Sequence, residues 1–552
     1  MTYVITRSCC NDASCVPVCP VNCIHPTPDE PDYGTAEMLY IDPDGCIECG
    51  ACVDACPVSA IYADYELEGD AVRFEEINAR YFSDPAHTGY DETPPNPERR
   101  DFSGFEGTLR VAVVGTGPAA FYAVEELTTQ RGLTVEVDMF ERLPTPYGLV
   151  RYGIAPDHQD TKAVGDAFAT LLRKQNVRLF LNTEVGASVT HDQLAERYHA
   201  VVYAVGAMHD RRLGIEGEDL PGSHSATSFV AWYNGHPDYA HLDFDLSSER
   251  VVVLGNGNVA LDVARVLTQD PEALARTDIA DHALEALRAS KVREVVVVGR
   301  RGAAQAAFTS PELLGLRGAE GVRVVVAADE VADVATTDVA AETKVELLQE
   351  IAEGADGAGT SGGSGERDVL LRFLASPTAL LGDDHVEAVR LERNDLVEAE
   401  GIVRAVGSGE TEDLACGLVL RSVGYRGAPV AGLPFDEERA VVPNTDGRVL
   451  DGDEAVPGVY VTGWIKRGPS GVVGTNKACA RESVGALFDD LMAGRLGEPS
   501  GDDVAELLED SVDVGGWRAL DDHERRQGRE QGRPRVKVVD VAAMLSTARA
   551  SA

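Results

Sequence analysis

The sequence predicts an α/β chain in which a small α+β module precedes two Rossmann-type dinucleotide-binding units. Three observations predict it. Nine of the eleven cysteines fall before residue 57. A buried-strand pattern, "LRVAVVG" (109–115), then leads through a glycine turn into a helix pattern, "PAAFYAVEELTTQ" (118–130), and a second strand, "VEVDMFE" (135–141). The same succession returns roughly 140 residues later as "RVVVLGNGNVALDVARVL" (250–267) and "REVVVVGRR" (293–301), a duplication that reads as two nucleotide-binding halves rather than a solenoid.

Composition bounds the function. A chain of 552 residues exceeds one core and implies several domains. Its hydrophobic content of 44% and charged content of 26% are those of a soluble globular protein. No apolar run is long enough to span a bilayer. The start, M-T-Y-V-I-T-R-S-C-C, lacks a signal-peptide pattern, so a bacterial cytoplasm, where thiols stay reduced, is the expected setting. A net charge of −43 excludes nucleic acid as a partner. The local imbalance says more: residues 1–66 carry eleven Asp and Glu against one base, Arg7. Small acidic electron carriers dock on basic faces, and here that face can belong to the same chain.

Taken in order, the cysteine module comes first. Cys9, Cys15, Cys19-Pro20 and then Cys46, Cys49, Cys52, Cys56-Pro57 make two passes of C-x2-C-x2-C-x3-C-P, with Asp12 in the second slot of the first pass. Thiolates at this spacing wrap cubane iron–sulfur clusters, the Cys before Pro serving the other cluster. Zinc would want two isolated C-x2-C pairs without the trailing C-P. Residues 1–66 read as a compact unit whose clusters form part of its core. Residues 67–107 are Pro-rich and charged and read as a linker with partly extended character.

In the first unit, Gly115-Thr116-Gly117-Pro118-Ala119-Ala120 directly follows a strand and opens a helix. Gly115 permits the tight turn, Gly117 admits a pyrophosphate to the backbone, and helix-terminal N–H groups meet its charge. Glu141 ends the second strand, where a carboxylate accepts ribose hydroxyl hydrogens. The second unit has Gly255-Asn256-Gly257-Asn258-Val259-Ala260, with Arg300-Arg301 where the first has Glu141. A 2′-phosphate needs positive charge there. The first unit thus suits FAD and the second NADP(H). The Gly/Ser stretch 354–365 reads as a mobile surface loop. The tail beyond about 495 is acidic, and its end, 533–545, reads as a strand and a short helix without chemistry of their own.

Three stretches carry a resemblance. "PYGLVRYGIAPDH" (146–158), "GNGNVALDVAR" (255–265) and "VYVTGWIKRGPSGVVGTNK" (459–477) resemble the adrenodoxin reductase-type ferredoxin–NADP reductases, over about 108–545. Residues 1–66 resemble a bacterial two-cluster ferredoxin of the seven-iron type. The resemblance implies a ferredoxin-like domain (1–66), a linker (67–107), a discontinuous FAD domain (108–208 plus 426–500), an NADP domain inserted in it (209–425) and a C-terminal extension (501–552). FAD would lie on Gly115, Gly117, Ala119, Glu141 and Leu149, with Val185 near the adenine. Trp464, Gly471, Val472 and Val473 would close over the isoalloxazine end. NADP would lie on Gly255, Asn256, Gly257, Asn258, Arg300, Arg301 and Glu312, with Gly471 near the nicotinamide. His158 and Glu312 take catalytic positions beside that ring. For His158, positioning or proton relay stands against a capping or core histidine, with Asp157 the other candidate cap. Lys466 and Arg467 either polarise the flavin or face the acidic module.

The same comparison assigns Cys46, Cys49, Cys52 and Cys19 to a [4Fe–4S] cluster, and Cys9, Cys15 and Cys56 to the first site. With Asp12 replacing a thiolate, that site keeps a [3Fe–4S] cluster or holds a labile fourth iron through the carboxylate. Cys10 competes with Cys9. Cys23, Cys416 and Cys479 lack cluster spacing and read as small apolar residues. The function implied is an NADPH–ferredoxin oxidoreductase, a monomer that passes electrons to a redox protein such as a ferredoxin or a cytochrome P450. Two other readings stand beside it: an electron-input subunit like the small subunit of glutamate synthase, and a non-catalytic redox-responsive binding protein. Partner capture separates the first, and NADPH-dependent reduction of ferricyanide the second.

Overall fold

Cysteine loops leave little chain for strands, so in the computed structural model the first module is built from two short strand pairs. The description covers residues 2–91, 93, 100–102, 105–336, 338–357, 367–399 and 402–550. Tyr3–Ile5 pairs antiparallel with Ile61–Ala63, and Ile24–His25 with Tyr40–Ile41. A helix, Arg73–Tyr81, buries Phe74, Ile77 and Tyr81. Its Asn78 accepts from the N–H groups of Ile5 and Ile41 and donates to the carbonyl of Ile5, which ties the two strand pairs together. This corrects the expected linker. The described part of 67–107 continues the module as far as Asp91, whose carbonyl accepts from Asn22 at 2.7 Å, while residues 94–99 lie outside the described residues.

The apolar runs of the first dinucleotide unit form a seven-stranded sheet. Its order is Asn444–Thr445, Arg448–Asp451, Glu454–Val461, Ala200–Tyr203, Thr108–Val114, Thr134–Phe140 and Val177–Phe180. The last five are parallel. Val114 stands level with both Phe140 and Tyr203, so the strand ends, the Gly115 turn and Glu141 share one edge, where ligands of open α/β sheets bind. Residues 454–461 join this sheet from far along the chain.

The intervening residues make a second sheet of six parallel strands, in the order Ser223–Ser225, Leu418–Arg421, Arg250–Leu254, Glu294–Val298, Arg367–Arg372 and Val322–Val326. An antiparallel sheet of Ala375–Leu381, Ala388–Ala399 and Ile402–Ala415 accompanies it. The chain leaves the first sheet at His209–Asp210 and returns at Tyr425–Arg426, and these two segments pair with each other. The helix Val339–Gly357 enters the Gly/Ser stretch, whose residues 358–365 lie outside the described residues.

The C-terminal extension is a strap. Helices Val514–Glu530 and Val541–Arg549 flank residues 533–540, which form no ladder, so the expected strand is absent. Glu524 and Arg151 make a fully desolvated ion pair at 2.6 Å. Lys537 and Lys162 both bind Asp278, at 2.9 and 2.6 Å. The tail therefore engages both dinucleotide units. No described helix is long and apolar enough to cross a membrane.

Candidate functional site

The two glycine turns have matching geometry. Gly115 (φ +102°) and Gly255 (φ +114°) lie in the region that favours glycine. A Cβ on Gly115 would stand 2.5 Å from the Ala204 carbonyl oxygen, and one on Gly255 2.1 Å from that of Ser422. Gly117 and Gly257 face open space, with nothing within 4 Å of a built Cβ. No internal packing requires glycine at these two; a ligand approaching the backbone would. Helices Pro118–Thr128 and Asn258–Thr268 both start without a side-chain cap, leaving terminal N–H groups for an anion. Both turns fit a pyrophosphate.

The strand-end residues differ as charge requires. Glu141 accepts from Thr116 N–H (3.2 Å), the Thr116 hydroxyl (2.7 Å) and Leu143 N–H (3.1 Å). Its carboxylate is thereby held against the first turn. Burial raises its pKa, and these bonds oppose the rise. Arg300 is exposed and Arg301 half-buried. Among the described residues no carboxylate pairs with either guanidinium, and their backbone is fixed by Asn394 and Leu374.

The remaining first-unit residues gather at the same edge. A Cβ on Gly148, just before Leu149, would stand 3.1 Å from Gly117 Cα. Thr183, two residues before Val185, donates its N–H to the Glu141 carbonyl. A Cβ on Gly463 would meet that of Ala119 at 2.6 Å, so the segment carrying Trp464 folds back on the first turn. The Trp464 indole donates to the Ser470 carbonyl at 3.0 Å, and the Val472 carbonyl accepts from Thr475 and Asn476. Val473 follows on the same loop, and Gly471 (φ +76°) begins it. Lys466 binds Glu482 and Ser483, whereas Arg467 binds Asn476 and the Ser470 carbonyl. Both bases bond within residues 466–483, and among the described residues neither pairs with an acid of the cysteine module.

Between the two units lies a charged cluster that the sequence did not reveal as a cluster. Asp157 is not a helix cap; it accepts two bonds from Arg265, at 2.6 and 3.2 Å. Burial works against that carboxylate, but Arg265 outweighs it and holds Asp157 well below the usual range. Arg265, on the helix that follows the second turn, also binds Asp262 at 2.6 Å. His158 Nε2 faces the guanidiniums of Arg265 and Arg7, the latter at 2.5 Å. Burial first, then both guanidiniums against Asp262 and Asp157, lowers the His158 pKa to about 4. A neutral imidazole with Nε2 as acceptor satisfies both donors. Glu312 closes the group, 3.6 Å from His158, 3.5 Å from Arg265 and 3.7 Å from Arg7. Thr309, which caps Glu312, donates its N–H to Asn258 at 2.8 Å, tying the cluster to the second turn. His158, Asp262 and Glu312 come close enough to hold a cation, yet the guanidiniums of Arg265 and Arg7 already face them.

The cysteines fall into two groups. Cys19, Cys46, Cys49 and Cys52 line one pocket with Tyr3, Ile24 and Ile41. Cys23, expected to be a plain apolar residue, also lines it, 3.4 Å from Cys19 sulfur to sulfur. Cys9 and Cys56 are electrostatic neighbours of Cys15, as is Asp12. Both Asp12 oxygens accept from Ser14, at 3.1 and 2.5 Å. Burial raises the Cys9 and Cys52 thiols to about 12, so thiolates here need a cationic partner such as iron. Cys10 turns into the core shared with Val58 and Phe102.

The Cys9–Cys15 loop abuts the Gly471 loop. The Cys10 carbonyl accepts from Gly474 N–H at 2.7 Å, and a Cβ on Gly474 would lie 2.0 Å from the Asn11 carbonyl carbon. Tyr33 bridges the Asn11 and Gly474 carbonyls. The loop that carries Cys46, Cys49 and Cys52 faces outward: Cys49 is exposed, and Ile47 is 58% accessible. Elsewhere Glu37 binds Ser310 N–H and Lys344, the expected acid-on-base contact. Arg7, Arg73 and Arg80 reverse that sign by binding acids of the body.

A family profile described as "Pyridine nucleotide-disulphide oxidoreductase" matches residues 109–349, and one described as "4Fe-4S binding domain" matches 39–62. A probable ferredoxin/ferredoxin–NADP reductase of Mycobacterium leprae is 49% identical, over 99% of this chain and 98% of that protein. The chain belongs to the ferredoxin/ferredoxin–NADP reductase family. Within it, the reductase portion is also similar to the mitochondrial NADPH:adrenodoxin oxidoreductase of Arabidopsis thaliana, at 40% identity over 80% of this chain and 95% of that one. The structure of Mycobacterium tuberculosis FprA in complex with NADPH superposes with a TM-score of 0.75, at 43% identity, over 80% of this chain and all of that one. Sequence reasoning missed Arg7, Asp262, Arg265 and Gly474 as functional neighbours. The only signals were that Arg7 is the lone base of residues 1–66 and that the other three lie within stretches already singled out.

Proposed function

We propose that the chain is an NADPH–ferredoxin oxidoreductase carrying its own ferredoxin, with FAD, a [4Fe–4S] cluster and a [3Fe–4S] cluster as resident cofactors. NADPH gives up electrons at one end, and a redox protein, a ferredoxin or a cytochrome P450, accepts them singly at the other. The observation that carries this reading is the docking of the Cys9–Cys15 loop on the Gly471–Gly474 loop, which continues the Gly463–Trp464 segment folded back on the first glycine turn.

In this reading FAD occupies 108–208 plus 426–500, on Gly115, Gly117, Ala119, Glu141, Leu149, Val185, Trp464 and Gly471 to Val473. NADPH occupies 209–425, on Gly255 to Asn258, Arg300 and Arg301, with its nicotinamide beside His158 and Glu312. Bound flavin supplies the exchange between a two-electron hydride donor and one-electron clusters. The protein's residues do the rest. The uncapped helix starts bind pyrophosphates, and Glu141 and the arginine pair sort the two ribose ends. His158, held neutral by burial first and by the two guanidiniums beside it, orients rather than protonates. Cys9, Cys15 and Cys56 hold the first cluster, and Ser14 occupies both oxygens of Asp12, which favours three irons there. Cys19, Cys46, Cys49 and Cys52 hold the second, on the solvent side, where an acceptor can dock.

Anaerobic purification followed by flavin spectra, iron analysis and EPR of oxidised and reduced protein tests the cofactor set. NADPH should reduce flavin and clusters together. Reduction of the flavin with clusters left oxidised would overturn the proposed path.

A further inference from the structure

We propose that Arg7, supplied by the cysteine module, is a specificity-determining residue of the pyridine-nucleotide site and sets its discrimination between oxidised and reduced coenzyme. The inference rests on the reading that Glu312 and His158 flank the nicotinamide.

Arg7 stands between the strand Tyr3–Ile5 and Cys9, yet its side chain leaves the module. It lies across the helix Ser310–Arg317 at Gly315, where a Cβ would stand 2.2 Å from the guanidinium carbon. There Nη2 reaches His158 Nε2 at 2.5 Å and Glu312 Oε2 at 3.7 Å, with the side chain 30% exposed. Glu312 Oε2 is buried and receives no hydrogen bond among the described residues. The charged groups facing this point are Asp157, Asp262, Glu312, Arg265 and Arg7, about a neutral His158. Three carboxylates against two guanidiniums leave one negative charge in excess; without Arg7 the excess doubles.

The oxidised nicotinamide ring is a cation and the reduced ring is neutral. An acidic site therefore retains NADP+ over NADPH, and each added guanidinium weakens that retention. Arg7 thus lowers affinity for the spent coenzyme while leaving the reduced one little affected. Because Arg7 arrives with the module, product release is favoured where the electron-accepting module is docked.

The test uses the full-length protein with its cofactors and reads equilibrium binding rather than turnover. Three ligands are titrated: NADP+, the non-reactive tetrahydro analogue of NADPH, and 2′,5′-ADP, which lacks the nicotinamide. Arg7→Gln keeps donors but loses the charge, and should tighten NADP+ about two- to fivefold, the scale of one charge interaction at a partly exposed site. The other two ligands should bind as to the wild type, and Arg7→Lys should match the wild type throughout. Unchanged NADP+ affinity, or weakening shared with 2′,5′-ADP, would overturn the role of Arg7. Glu312→Gln checks the underlying reading separately: it should weaken NADP+ but not 2′,5′-ADP. If it leaves NADP+ binding untouched, the nicotinamide lies elsewhere, whatever Arg7→Gln does.

Discussion

At the scale of single residues, charge and valence decide which cofactor each position takes. Asp12 stands where the cysteine spacing of the first pass would place a ligand, and each of its oxygens accepts one bond from Ser14. Asp12→Cys should complete the thiolate set, so oxidised protein loses the three-iron EPR signal and gains one iron per chain. Retention of that signal would show that geometry rather than ligand type limits the site. Arg300 and Arg301 stand unpaired by any described carboxylate at the end of Glu294–Val298. Two charge-assisted bonds to a 2′-phosphate amount to about ten- to several-hundred-fold in affinity for NADPH over NADH. Arg300→Ala with Arg301→Ala should raise the KM for NADPH, leave that for NADH nearly unchanged, and lose its effect as salt rises. A preserved preference would place phosphate recognition on other bases.

Elements place these residues, and two of them carry predictions. The loop 471–474 approaches the module so closely that Gly474 has no room for a Cβ, although its backbone (φ −73°) suits any residue. Gly474→Ala should therefore act by displacement. Cytochrome c reduction should fall by about tenfold as the contact shifts, with ferricyanide reduction retained. Equal losses with both acceptors would mean that the loop serves the flavin end alone. The helix Val514–Glu530 is held by Glu524 against Arg151. Burial disfavours that carboxylate, yet Arg151 outweighs it and the pKa lies below the usual range. A folded value below the unfolded one means stability that is present above about pH 4.3 and is lost as pH falls through the folded value. Trp517, packed on Arg151, should report the detachment by fluorescence. Glu524→Gln should remove the acid-side step and cost about 3 kcal/mol at neutral pH, because Arg151 stays buried without its partner.

Across the whole molecule, the module is not an appended bead. Its core is continuous with that of the inserted unit through Phe74, Ile77 and the helices 310–317 and 339–357. Relatives that match only the reductase portion nevertheless exist as separate proteins. A chain beginning at residue 101 should bind FAD and reduce ferricyanide with NADPH, while losing most of its cytochrome c reduction. Unchanged cytochrome c rates would take the module off that path.

Legibility followed the distance over which each signal acts. The glycine turns, the strand–helix succession, Glu141, the arginine pair and the cysteine spacing were all readable, because a turn, a helix start or a cluster loop is specified by residues a few positions apart. The helix Arg73–Tyr81 was not: Asn78 occupies an apolar-face position, where three of its four bonds go to strand groups far away in sequence, and so the stretch resembled a linker. The strap of Lys537 and Glu524 was likewise silent, since each finds its partner hundreds of residues away. By itself the sequence determined the α/β class, the two strand–glycine turn–helix units and the cysteine spacing that a 4Fe-4S profile matches. Only the tertiary structure decided that Arg7 meets His158 and Glu312, that Asp157 serves Arg265 rather than a helix end, and that Gly474 receives the module. Those contacts join segments with no local pattern in common, and their energy comes from desolvated charge and close packing that exist only once the chain has folded.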